Sequence, residues 1–167
     1  MPGRKKLDPA DINTPAAAYE VPSGYPVQFW EQQQWEFVAH IFGPVMSSPR
    51  PRVTSRGTFM PTDYRKHCDK VSASLAYCRG LYESKHGPWP ADRLMALDIA
   101  FWCPKMPGDI DNLSKTIMDA GQLKKGEPSG AELWANDRQI VCLTASWISV
   151  EDQFDWQTVV RIHLMNT

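Results

Sequence analysis

Leu94-Met95-Ala96-Leu97-Asp98-Ile99-Ala100-Phe101-Trp102 leads through Cys103-Pro104-Lys105-Met106-Pro107 into Gly108-Asp109-Ile110-Asp111-Asn112-Leu113-Ser114-Lys115-Thr116-Ile117-Met118-Asp119-Ala120. The first nine residues have few polar positions, the pattern of a central strand with both faces covered. In the last part Leu113, Ile117 and Ala120 recur at helical steps, and Asp111 or Asn112 is placed to cap the helix they imply. A rigid strand feeding a short loop is how a carboxylate is aimed at a fixed point.

Working outward from that stretch, Phe37, Ala39 and Ile41 alternate with Glu36, Val38 and His40, which predicts a first strand ending at Gly43-Pro44. Arg50-Pro51-Arg52-Val53 and Ser55-Arg56-Gly57-Thr58-Phe59 predict a short hairpin. Residues 62–84 give the clearest helix: Thr62 or Asp63 can cap it, and Tyr64, Cys68, Val71, Leu75, Cys78 and Tyr82 form one apolar stripe. Gly87-Pro88-Trp89-Pro90 ends it. Downstream, residues 121–133 are turn-rich, Ile140 to Ile148 is rich in strand formers, and Trp156 to Met165 alternates well enough for a last strand. The order strand, hairpin, helix, strand, helix, strand, strand implies an α+β class: a single domain with a mixed β-sheet and helices packed against it.

The chain has 167 residues, 43% of them hydrophobic, enough for one globular domain with a real core. Its net charge of -1 does not mark a nucleic-acid binder, but the distribution is uneven. Residues 1–47 carry -2, residues 48–88 carry +5 and residues 89–167 carry -4, as expected if one segment grips phosphate and another holds a cation. A solvated helix with a mixed basic face gives the same count. Cys68, Cys78, Cys103 and Cys142 show no metal-knuckle spacing and no disulfide framework, so reduced thiols in a cytoplasm are expected. No apolar run reaches transmembrane length and no secretion signal is evident, which predicts a soluble intracellular protein. Five prolines among Ala, Asp and Lys in residues 1–26 predict a flexible N-terminal arm preceding a domain over residues 27–167. Arg4-Lys5-Lys6 in that arm could touch a phosphate backbone or simply be solvated.

The chemistry concentrates around Asp109 and Asp111. Two apart in an extended segment, they leave the chain on the same side, and two carboxylates ~4 Å apart repel by a few kcal/mol. A shared proton, a basic partner or a divalent cation can offset this. An oxygen-only site suits Mg2+, with Mn2+ as a substitute. Lys115 lies one helical turn beyond Asp111, and Asp119 one turn beyond Lys115. The same residues also make an ordinary turn with an N-cap and an exposed ion pair. Asp137, in Trp134-Ala135-Asn136-Asp137-Arg138-Gln139-Ile140, stands at the entrance of a strand. If that strand pairs beside the one leading to Asp109, three carboxylates are expected to meet.

An Asp-x-Asp-Asn-Leu-x-Lys-x-x-x-Asp-Ala element, followed about twenty residues on by Asn-Asp-x-Gln-Ile, resembles the RusA family of Holliday junction resolvases over roughly residues 45–165. The resemblance implies that Asp109, Asp111 and Asp137 ligate magnesium, that Lys115 is required for cleavage, and that a homodimer cuts two strands of a four-way DNA junction. Asn112 and Asp119 become supporting residues, Asp119 as an ion-pair partner that orients Lys115. The approach Lys105-Met106-Pro107-Gly108 lacks the basic run of some family members, and Trp147 stands where many relatives carry a basic residue. DNA contacts are therefore expected from Arg50 and Arg52, whose flanking prolines hold an extended backbone, from Lys66 and Lys70 on the long helix, and from Lys105.

The expected function is thus a magnesium-dependent, structure-selective endodeoxyribonuclease. Competing readings are a catalytically silent branched-DNA-binding module and a small magnesium-dependent nucleotide phosphohydrolase.

Overall fold

Strands form where the sequence alternates or runs apolar, and the computed structural model places six of them with two helices: β1 (Phe37–Phe42), β2 (Arg52–Thr54), β3 (Gly57–Phe59), α1 (Thr62–His86), β4 (Met95–Trp102), α2 (Ile110–Gly121), β5 (Ile140–Ile148) and β6 (Gln157–Leu164). The structure describes residues 35–49, 52–54, 57–122 and 131–165, all within the unit Gln34–Thr167. The N-terminal arm expected over residues 1–26 lies outside the described residues, as do Arg50, Lys124 and Lys125.

The fold is α+β: one mixed four-stranded sheet in the order β1-β6-β4-β5 with two helices packed against it, plus the separate hairpin β2-β3. β6 pairs antiparallel with both β1 and β4, while β5 pairs parallel with β4. The apolar run in β4 is explained by this position, since Met95 through Phe101 are all buried. Met95, Leu97, Ile99 and Phe101 join Val160, Ile162, Ala39 and Ile41 beneath the helices.

α1 extends two residues past the expected end, and Pro61 rather than a capping side chain precedes it. Of its stripe, Tyr64, Val71 and Leu75 are buried, and Cys78 and Tyr82 pack at the border of the core. In α2, Leu113 and Ile117 are buried against the sheet, each contributing ~2 kcal/mol by leaving water. All four cysteines are free thiols. Among the described residues no helix is long and apolar enough to cross a membrane.

The opposite face of the sheet is polar at its centre. Arg161 donates from Nη1 to Asp98 Oδ2 at 2.7 Å, joining β6 to β4. Glu36 Oε2 lies 3.1 Å from His163 Nδ1 and accepts from the Leu164 amide, and His40 contacts Gln157 across the β1-β6 pair. Burial raises the Asp98 pKa, while Arg161 pulls the other way through charge and hydrogen bonding. With the geometry so close, the pair is best described as an ion pair whose burial costs part of what its attraction supplies.

Candidate functional site

Gly108 and Asp109 stand where the chain leaves β4 and enters α2. A Cβ at 108 would lie 2.7 Å from Ser47 Oγ, so glycine lets the loop press against the segment after β1. That segment is pinned from both sides: the Ser48 amide donates to Asn112 O, and Thr116 Oγ1 donates to Met46 O. Asp109 is the N-cap residue, with extended backbone but no side-chain capping bond, and Asp111 lies in the first helical turn. The two carboxylates are thus split between a cap and a helix rather than sharing one extended segment. Both are exposed, as is Lys115. Such an exposed pair at a helix N-terminus faces the positive end of the helix dipole, which offsets part of their mutual repulsion.

The supporting residues divide. Asn112 is half-buried and works through its backbone carbonyl, which accepts from Ser48 N. Lys115 makes no ion pair among the described residues, so the expected Lys115–Asp119 pair does not form; Asp119 is half-buried near the other end of α2. At four residues apart on a helix, long side chains meet only when both turn toward each other. Here one is exposed and the other partly covered.

Asp137 is held by a different device. Residues Asp137–Gln139 form one 3-10 turn, and Asn136 Oδ1 accepts from the Arg138 amide. Gln139 is the anchor: its Oε1 accepts from the Ala135 and Asn136 amides, while its Nε2 donates to Ala91 O at 2.7 Å and Arg93 O at 2.9 Å. The loop is further fixed by Trp134, fully buried against Gly121, where any Cβ would collide with the indole. Asp137 and Arg138 are both exposed on this turn. Sequence reasoning singled out Asp137 but missed Arg138, whose only signal was adjacency.

The three acids do not meet in one chain. β5 does pair beside β4, which meets the stated condition, but in parallel with Ile140 opposite Met95. Asp137, three residues before Ile140, is therefore at the start of β4, whereas Asp109 follows its end. α2 bridges the two levels: Ala131 N donates to Ala120 O, Leu133 N to Gly121 O, and Ala135 N to Ala91 O. Twelve helical residues rise ~18 Å, and eight strand residues span ~25 Å, so the carboxylates lie on the order of 20 Å apart. Among the described residues no group of three His, Cys, Asp or Glu side chains could hold a metal ion. The expected three-carboxylate magnesium set does not fit within a single chain. The two strands were readable in the sequence; their relative direction, which decides at which end each acid falls, was not.

The cationic candidates are also uneven. Lys66 and Lys105 are exposed. Lys70 is exposed too, but its Nζ donates to Phe42 O at 2.7 Å and closes over Gly43, which takes φ 108°. Arg79, on the same helix, holds Ala131 O and Glu132 and so clamps the chain that leads to Trp134. Arg52 opens β2. No protein-family model matches the chain, and no curated protein matches it.

Proposed function

We propose that the protein is a magnesium-dependent endodeoxyribonuclease of the RusA type, acting in the cytoplasm as a homodimer that nicks four-way DNA junctions symmetrically. What supports this reading is the pairing of Asp109, Asp111 and Lys115 at one exposed helix start with Asp137 on a separately braced turn. Because the acids of one chain stand at opposite ends of β4, the proposal assigns each ligand set to two copies: Asp109 and Asp111 from one, Asp137 from the other. A divalent ion held there supplies Lewis-acid polarisation of a phosphodiester and a more acidic water.

The side chains have separable tasks. Asp109 and Asp111 offer oxygen ligands from a backbone fixed by Gly108 and Ser47. Lys115, a compact cation one turn further on, lies where it can neutralise phosphate charge. Lys66 and Lys105 are the exposed cations available for the DNA backbone, each worth roughly one unit of salt slope. A two-fold dimer matches the symmetry of a four-way junction.

Purified protein incubated with a synthetic junction, linear duplex and single strand, with and without magnesium, tests the reading. Paired nicks on the junction alone, only with magnesium, are expected; junction binding without nicking would favour the silent binding module, which the separation of the acids within one chain supports. Mixing Asp111→Asn with Asp137→Asn sharpens the test. A shared site restores nicking, since one site of each mixed dimer keeps all its acids, whereas sites within single chains stay dead.

A further inference from the structure

Among the described residues β5 forms one border of the sheet, with no strand on its outer side. Edge strands are ordinarily short, charged, kinked or covered, because unpaired amides and carbonyls invite another strand. β5 is irregular only near its start, where Val141 is an extra residue between the pairs Met95↔Ile140 and Ala96↔Cys142; otherwise it runs nine residues, Ile140-Val141-Cys142-Leu143-Thr144-Ala145-Ser146-Trp147-Ile148, without a charge, proline or glycine. Val141 is 52% exposed, Leu143 45% and Trp147 38%. The register Leu97↔Leu143 and Phe101↔Trp147 places Leu143 and Trp147 on the helix-bearing side of the sheet. The opposite border differs. β1 has six residues and ends under the Lys70 ammonium, a cation at an edge of the kind that discourages pairing.

We propose that the outer edge of β5 is the dimer interface, pairing antiparallel with β5 of a second copy about a two-fold axis through Thr144. This names the partner surface for the shared site and rests on the nuclease reading only for that last consequence. A two-fold axis requires a self-complementary strand, and this centre overlaps all nine residues. Within the regular part of the strand, Leu143 then faces the partner's Ala145 and Cys142 the partner's Ser146. Cross-strand side-chain pairs stabilise antiparallel strands, and exposed Leu143 and Trp147 lie on the same side of the sheet. The same rotation carries the partner's Asp137 to the end of β4 from which Asp109 follows. A strand two places from β4 is ~10 Å away, half the separation within one chain.

The register is tested by Ser146→Cys in the full chain, where mild oxidation should join the new thiol to the partner's native Cys142, because directly opposed residues lie within disulfide reach. A non-reducing gel should show a dimer band that disappears when Cys142→Ser is added. Independently, Leu143→Lys, at an exposed position that folding tolerates, should weaken self-association at least about tenfold in sedimentation. A wild-type monomer at micromolar concentration, or a dimer that neither cross-links nor responds to Leu143→Lys, overturns the interface. These readouts use no DNA and no magnesium. A cross-linking dimer that never nicks upholds the interface and ends the nuclease reading; a dimer that nicks with magnesium but neither cross-links nor responds to Leu143→Lys upholds the nuclease reading and overturns the interface.

Discussion

The two ends of the β4-α2-β5 crossover present acids by opposite means. At the Asp109 end the carboxylates ride on a helix whose Leu113 and Ile117 are sunk in the core, so position follows from packing. At the Asp137 end little apolar side chain anchors the turn itself; a glutamine with four hydrogen bonds and an asparagine cap hold it. Packing resists local change until the whole core yields. A polar bracket can be undone alone. The contrast implies that substitutions in the polar bracket around Asp137, at Asn136 or Gln139, behave as positioning mutants, whereas those at the carboxylates themselves behave as chemistry mutants.

The sharpest break is expected at Asp111. On the nuclease reading Asp111→Asn lowers nicking at least about a hundredfold while junction binding holds or tightens, measured by gel shift beside cleavage. Retained nicking removes the residue from the site. Next is Gly121→Ala, which drives a methyl into the Trp134 indole and should cost about 2 kcal/mol by urea denaturation. An unchanged midpoint would mean the indole moves freely and the second end is looser than described. Gln139→Ala follows, at about 1–2 kcal/mol because Ala91 and Arg93 carbonyls lose their donor. Its nicking rate should fall further than its folded fraction; parallel losses would make Gln139 only structural.

The smallest effect lies between the two ends, at Asp98. Its folded pKa is raised, by burial first, so the protonated form is favoured on folding. The stability this group contributes is present below the unfolded value of 3.8 and lost as pH rises through the folded one. Relative to Asp98→Asn, the wild type should therefore gain stability as pH falls from neutrality toward 4. Denaturation midpoints measured across that range check the sign, and the opposite slope would mean Arg161 outweighs burial.

Much of this architecture could be read before the coordinates. Local pattern is printed in the chain: β5 has the bounds its β-branched and aromatic run implied, and β4 is buried as its missing polar positions required. The first acidic end was legible for the same reason, because Gly108 through Ala120 carries both loop and helix signals. The second was legible only in part. Asn136 and Gln139 stood beside Asp137, but the bonds from Gln139 Nε2 reach residues 91 and 93, more than forty positions back, and no spacing rule encodes that. Direction was the larger gap. Period-two alternation is the same whichever way a strand points, so a parallel β4-β5 pair and an antiparallel one look alike on paper.

β6 has a consequence for synthesis. It comes last in chain order among the described strands, yet it sits between β1 and β4 and pairs with both, Phe37 lying opposite Ile162 more than a hundred residues away. Until the residues of β6 have emerged from the ribosome, β1 has no neighbour in the four-stranded sheet, and the segment before β4 must wait for the one after it. Closure comes in one late step, slow by its long-range pairing, and a chain cut before Gln157 should never become protease-resistant.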